Sequence, residues 1–209
     1  DVATSVASIV SVSSATPAVA GSTIALTSTT DTLTGGVGAD QFNGVIAAQG
    51  GDGTTAAAGD SLTGGDGIDT LTISATGLTT ADYSAAAIST SGVEKLYLSN
   101  FDTNTTQADT HTVDASLMTG LTTVGLSASG ANGDTDFTNL KNLVDAEMSN
   151  GSADLSVAYQ ATVVAGTTDT QNLALSNQTA GGFTANSVET IAITSSTLAN
   201  TLASLTGNA

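Results

Sequence analysis

Two nine-residue stretches of this chain repeat one chemical arrangement. Gly35-Gly36-Val37-Gly38-Ala39-Asp40-Gln41-Phe42-Asn43 and Gly64-Gly65-Asp66-Gly67-Ile68-Asp69-Thr70-Leu71-Thr72 both read G-G-x-G-x-D-x-U-x, with U a large apolar residue. The glycines permit turns that a residue with a Cβ could not make, which leaves backbone carbonyl oxygens free to face an ion. Gly36, Gly38, Gly65 and Gly67 are therefore candidate backbone donors, and Asp40 and Asp69 add short-armed anionic oxygens. Carbonyl and carboxylate oxygens together suit a hard cation, and calcium is the expected ion. After the turn, Phe42 and Leu71 are the residues a short strand would point into a core.

The same chemistry recurs in fragments nearby. Asp31-Thr32-Leu33-Thr34 and Asp60-Ser61-Leu62-Thr63 have the D-x-U-x tail, each running into a Gly-Gly pair. Gly50-Gly51-Asp52-Gly53 is a head without its tail, separated from Asp60 by an insert from Thr54 to Gly59 that reads as an extruded loop. Asp31 and Asp60 thus join Asp40 and Asp69 at the ligand position, while Asp52 and Asp66 stand at variable turn positions and are weaker metal candidates. Two further acidic stretches, Asp102-Thr103-Asn104 with Asp109 and Asn132-Gly133-Asp134-Thr135-Asp136, could also hold calcium, but each matches only part of a metal loop and a solvated turn is the favoured reading.

Composition narrows the classes of function. The chain has 209 residues, 19 acidic and 2 basic, for a formal charge of −17, so it offers no positive surface to nucleic acid. Sixteen of the acids are Asp, which favours turns over helices. Bound cations would offset a charge that otherwise opposes the compact state. With no cysteine there is no disulfide framework, and stapling passes to metal, packing or assembly. No apolar run is long enough to span a membrane as a helix. The segment from Asp1 to Leu26 lacks the basic start of a signal peptide, and the Asp at position 1 suggests a mature or excerpted segment.

The elements that must position these residues read as strands. Short apolar pairs recur at Leu71-x-Ile73, Leu96-x-Leu98, Val124-x-Leu126, Leu155-x-Val157, Leu173-x-Leu175 and Ile191-x-Ile193, separated by turns rich in Gly, Asn, Asp, Ser and Thr. That rhythm predicts an all-β fold, a parallel β-roll or β-helix of solenoid type with calcium-binding turns. Three regions are expected: a β segment over residues 1–30 that packs on its own domain or is exchanged between subunits, a calcium-binding roll over 31–73, and a β-solenoid or sandwich-like region over 74–209. Two coils share a word, Val93-Glu94-Lys95-Leu96-Tyr97-Leu98 and Val188-Glu189-Thr190-Ile191-Ala192-Ile193. Phe137, Leu140, Val144 and Met148 fall at helical spacing and predict one short helix over 137–148, and Asp82 to Ile88 is a weaker helix candidate.

Catalysis finds little support. His111 is the only histidine, no G-x-S-x-G elbow occurs, and a two-histidine zinc site is excluded within one chain. His111 lies in a polar stretch and reads as a surface residue. Tyr83, Tyr97 and Tyr159 read as packing or interface residues, and the N-x-S/T triplets at Asn104, Asn150 and Asn177 are weak glycosylation signals.

The stretch from Asp31 to Ile73, with Val93 to Leu98 and Gly120-Leu121-Thr122-Thr123-Val124-Gly125-Leu126 after it, resembles bacterial surface-layer and surface-array proteins of the RTX class. The resemblance implies calcium in the roll, export by type I secretion, an extracellular or cell-surface location, and self-assembly into a layer, sheath or filament. Partners expected on that basis are copies of the chain itself and a cell-surface polysaccharide. The alternative is a calcium-stabilised adhesin or carbohydrate-binding module of a secreted protein.

Overall fold

Alternation of large apolar with small polar residues over five to seven positions makes two-faced strands, and the glycine and asparagine corners between them make each coil short enough to stack on the last. The computed structural model describes residues 19–47, 51–76, 83–85, 87–101, 109–196 and 198–208. It is all-β, with every strand pairing parallel to its neighbours, and the coils stack as a β-solenoid. Most of residues 1–30, and with them the expectation of an exchanged strand, lie outside the described residues.

One sheet of eight strands runs the length of the solenoid: β1 (Thr23–Ala25), β3 (Gln41–Ala47), β5 (Thr70–Thr76), β8 (Lys95–Phe101), β11 (Thr123–Ser127), β13 (Asp145–Ser149), β15 (Thr170–Ser176) and β17 (Thr190–Ser195). We call it sheet A. Sheet B, with β2 (Thr32–Val37), β4 (Ser61–Asp66), β7 (Ser89–Ser91) and β10 (Met118–Thr119), joins it in the N-terminal coils. Sheet C, with β6 (Tyr83–Ala85), β9 (Asp109–Asp114), β12 (Gly133–Leu140), β14 (Leu155–Tyr159), β16 (Gly182–Asn186) and β18 (Ser204–Asn208), joins it in the later ones.

Register puts like on like. Phe42, Leu71, Leu96 and Val124 are successive neighbours across sheet A, and each is 1% exposed or less. Burying each such side chain contributes about 1.5–3 kcal/mol before the entropy of ordering it is counted. A single core cluster extends from Leu26 to Val188, so sheet A carries one hydrophobic interior across both the glycine-rich and the later coils.

The helix expected over 137–148 is a correction. Phe137 and Leu140 lie in β12, and Val144 leads into β13, which holds Met148. All four are 3% exposed or less, so they are core residues as their spacing suggests. The spacing arises because a left-handed corner at Asn139 (φ 57°) and an irregular register between Phe137 and Leu140 break the two-residue rhythm of β12. Four inward residues on two strands and a corner thus mimic one helical face. Of the second helix candidate, Tyr83–Ala85 forms β6 and Ile88 is a buried core residue before β7. The insert at Thr54 to Gly59 is also folded back rather than extruded: Ala56 is 2% exposed, and its N–H and that of Thr55 donate to the Val45 carbonyl at 3.0 and 2.8 Å.

Candidate metal corner

Each nonapeptide folds as the end of a sheet B strand, a turn, and the start of a sheet A strand. Gly36 and Gly38 (φ 123° and 95°) and Gly65 and Gly67 (φ 111° and 128°) take backbone conformations closed to ordinary side chains. The two turns stack so closely that a Cβ on Gly65 would overlap the Gly36 carbonyl oxygen, and one on Gly67 would overlap that of Gly38. The glycines therefore serve both the turn and the approach of one coil to the next.

The four aspartates at the ligand position fall into two stacked pairs, 29 residues apart in each case. All four are buried, between 0 and 6% exposed. Asp31 and Asp60 precede the sheet B strands. Asp31 accepts the Thr27 N–H at 2.7 Å and the Thr27 hydroxyl at 2.8 Å on its two oxygens, and Asp60 accepts the N–H groups of Asp31 (2.9 Å) and Ala57 (2.8 Å). Both oxygens of each carboxylate thus carry a hydrogen bond, Asp31 within its own turn and Asp60 both to its own turn and to the preceding coil.

Asp40 and Asp69 precede the sheet A strands and differ. Asp40 Oδ1 accepts the Ser22 N–H at 2.5 Å, and Asp69 Oδ1 accepts the Asp40 N–H at 2.7 Å. The second oxygen of each is buried with no hydrogen-bond partner. Asp40 Oδ2 and the Gly64 carbonyl oxygen converge where a side chain on Gly35 would sit, and Asp69 Oδ2 and the Gly92 carbonyl oxygen converge at Gly64. Two buried anionic oxygens, each beside a carbonyl oxygen in a glycine cradle, form a donor arrangement that fits a hard cation. Burial pushes the Asp69 carboxyl above its ordinary range, the Asp40 N–H draws it back, and the charges of Glu94, Asp40 and Asp66 push it further up. Among the described residues no three acidic or histidine side chains converge, so carbonyl oxygens would have to supply part of any ion's shell.

Of the weaker candidates, Asp66 is exposed at the end of β4 beside this corner. Asp52 is exposed in the turn after β3, the far end of a seven-residue strand from Asp40 and so about 20 Å away.

The corner contains a residue that the nine-residue word does not reveal. Glu94 precedes β8, and its carboxylate accepts the Asp69 N–H at 2.8 Å, as Asp69 accepts that of Asp40. Glu189, before β17, accepts the Asp169 N–H at 2.7 Å. The shared V-E word is thus a corner word: acid, any residue, large apolar is the order of D-x-U without its glycines. The reading of His111 also changes. It is 1% exposed beneath sheet C, and burial lowers its pKa to about 4, so it is held neutral. On the outer face of sheet A, the Tyr97 hydroxyl donates to Glu147 at 2.7 Å, and its ring crosses Gly125, where a Cβ would meet it. No known protein family, curated protein or solved structure matches the chain.

Proposed function

We propose that this chain is a non-catalytic extracellular structural protein, stabilised by calcium at the Asp40 and Asp69 corner, that assembles with copies of itself into a surface layer, sheath or filament. The observation that carries the reading is the pair of buried, unpartnered carboxylate oxygens facing glycine carbonyls. A buried carboxylate oxygen without a donor is costly unless a cation or proton meets it. Calcium bound there would neutralise charges stacked on consecutive coils and tie those coils together, with Asp40, Asp69 and the neighbouring carbonyls as ligands. Glu94 and the glycine turns hold the corner's backbone in place and do not need the ion to do so.

Assembly rests on the edges. Among the described residues, β1 and β17 each pair on one side only in sheet A, and an unpaired edge is a template for another strand. No helix among the described residues is long and apolar enough to cross a membrane. Electron microscopy of the purified chain in EGTA and in millimolar calcium tests the reading: ordered polymers are expected with calcium, and a chain that stays monomeric there refutes it.

A further inference from the structure

The solenoid sorts its aromatic residues by face. Of four phenylalanines, Phe42, Phe137 and Phe183 are 0% exposed, whereas Phe101 is 45% exposed. Phe101 lies in β8, whose inward residues are Leu96, Leu98 and Asn100, so it shares the outer face of sheet A with Tyr97 and Ser99. Two aromatic residues thus flank a serine on one strand, about 13 Å apart. The Tyr97 ring lies across Gly125 on the next strand and is fixed at its far end by the hydrogen bond to Glu147 on the strand after that. A ring held in this way has little rotamer freedom left to lose on binding.

The surface beside these rings is rich in hydroxyls. Register brings Ser74, Ser99, Ser127, Ser149 and Ser176 into one line on the outer face, carried by five consecutive strands about 4.8 Å apart. Each hydroxyl both donates and accepts. Shallow hollows run beside this line from Tyr97 to β17, and Glu147 lines them. The Glu147 carboxylate has about four acceptor positions and uses one on Tyr97. All five strands are paired on both sides, so their backbone groups are spent in the ladder and this face offers no edge to a peptide strand.

A sugar ring has an apolar C–H face and a rim of hydroxyls, the complement of a flat aromatic ring beside hydroxyl and carboxylate groups. Charge narrows the class. This face sets Lys95 against Asp145 and Glu147, in a chain of formal charge −17, so a uronate or sulfated sugar would meet net repulsion. We propose that the outer face of sheet A is a binding site for a neutral oligosaccharide, with sugar rings stacked on Tyr97 and Phe101 and their hydroxyls bonded to Glu147 and to the line of serines. The site lies along the middle of the solenoid and is separate from the edges of sheet A and from the Asp40 and Asp69 corner.

Titration calorimetry of the chain in millimolar calcium tests this, with cellohexaose, mannohexaose, xylohexaose and N-acetylchitohexaose as neutral probes and hexagalacturonate as the anionic one. At least one neutral probe should bind, and hexagalacturonate should not. Y97A and F101A should each weaken that binding about tenfold or more. S127R, which places a long side chain in the hollow beside Tyr97, should abolish it. Y97F keeps the ring and loses only its tie to Glu147, so it should bind more tightly than Y97A. Circular dichroism matching the parent confirms that the variants fold, and F101A and S127R carry the test should Y97A not fold. No binding of any neutral probe would overturn the proposal, as would binding left unchanged by F101A and S127R. Tighter binding of hexagalacturonate than of every neutral probe would overturn the ligand class. Each of these results leaves the calcium and self-assembly reading standing, because that reading is measured by polymers in the microscope.

Discussion

The main-chain N–H of Asp40 donates to the carboxylate of Asp69 at 2.7 Å, one coil further along the solenoid. The aspartate of each nonapeptide therefore divides its two oxygens: Oδ1 holds the previous coil, and Oδ2 has no hydrogen-bond partner. Removing the charge and removing the hydrogen bond are then separable experiments.

Asp69→Asn keeps an oxygen for the Asp40 N–H and removes the buried charge. Its calcium-free stability should equal or exceed that of the parent, and the response to calcium at this corner should fall. Asp69→Ala loses the acceptor as well and should cost about 1–3 kcal/mol with or without calcium. For the parent, calcium at about 100 times its dissociation constant adds about 2.7 kcal/mol, which corresponds to a rise in Tm on the order of 5–10 °C. Differential scanning calorimetry of the three proteins in EGTA and in calcium checks all of this, and equal calcium shifts in Asp69→Asn and the parent would remove Asp69 from the ligand set.

Glu94 tests whether the corner works without glycine or metal. Glu94→Gln should be nearly neutral, because an amide oxygen can still accept the Asp69 N–H now held at 2.8 Å. Glu94→Ala should destabilise by about 1–2 kcal/mol in urea unfolding. A loss from the glutamine variant as large as that from the alanine variant would mean that charge, and not the hydrogen bond, is what matters there.

Gly64→Ala should be among the most damaging single changes in the chain. A Cβ there would overlap the Gly92 carbonyl oxygen and Asp69 Oδ2, and backbone cannot yield as a flexible side chain can. A loss above about 3 kcal/mol is expected, together with loss of calcium binding by titration calorimetry. Gly36→Ala is the opposite case: its φ of 123° strains an alanine backbone, but nothing lies within 4 Å of its Cβ, so it should cost only that strain, about 1–3 kcal/mol.

His111 gives the pH dependence. Its folded pKa of about 4 lies below the usual value of 6.5, so between those values the unfolded chain binds a proton that the folded chain refuses. Stability should therefore fall as pH drops from about 7 to 4, by up to roughly 3 kcal/mol from this residue alone. The loss is complete below that window. His111→Leu should flatten this part of the profile, and urea unfolding of both proteins across the window measures the difference. Identical slopes would mean that His111 is not buried neutral.

What the sequence determined by itself is local. Two glycine words and their half copies specify turns, strands and ligand-type oxygens, because a glycine that must take positive φ and an aspartate beside it act within a few residues of their own backbone. The solenoid class followed from the rhythm of apolar pairs, since strand alternation is a property of neighbours in the chain. Only stacking decided the rest. Asp31 and Asp40 occupy the same place in the repeat, yet one is stapled on both oxygens and the other keeps one free, because Thr27 lies within reach of Asp31 while Asp40 has only the Ser22 N–H. Phe137, Leu140, Val144 and Met148 have the spacing of a helix face but are buried from two strands and a corner, because parallel neighbours on both sides outweigh a weak local preference. Glu94 joins the Asp40 and Asp69 corner, and His111 leaves the surface, through coils that meet far from them in the chain. Those contacts are long-range, so a reading of neighbouring residues could not contain them.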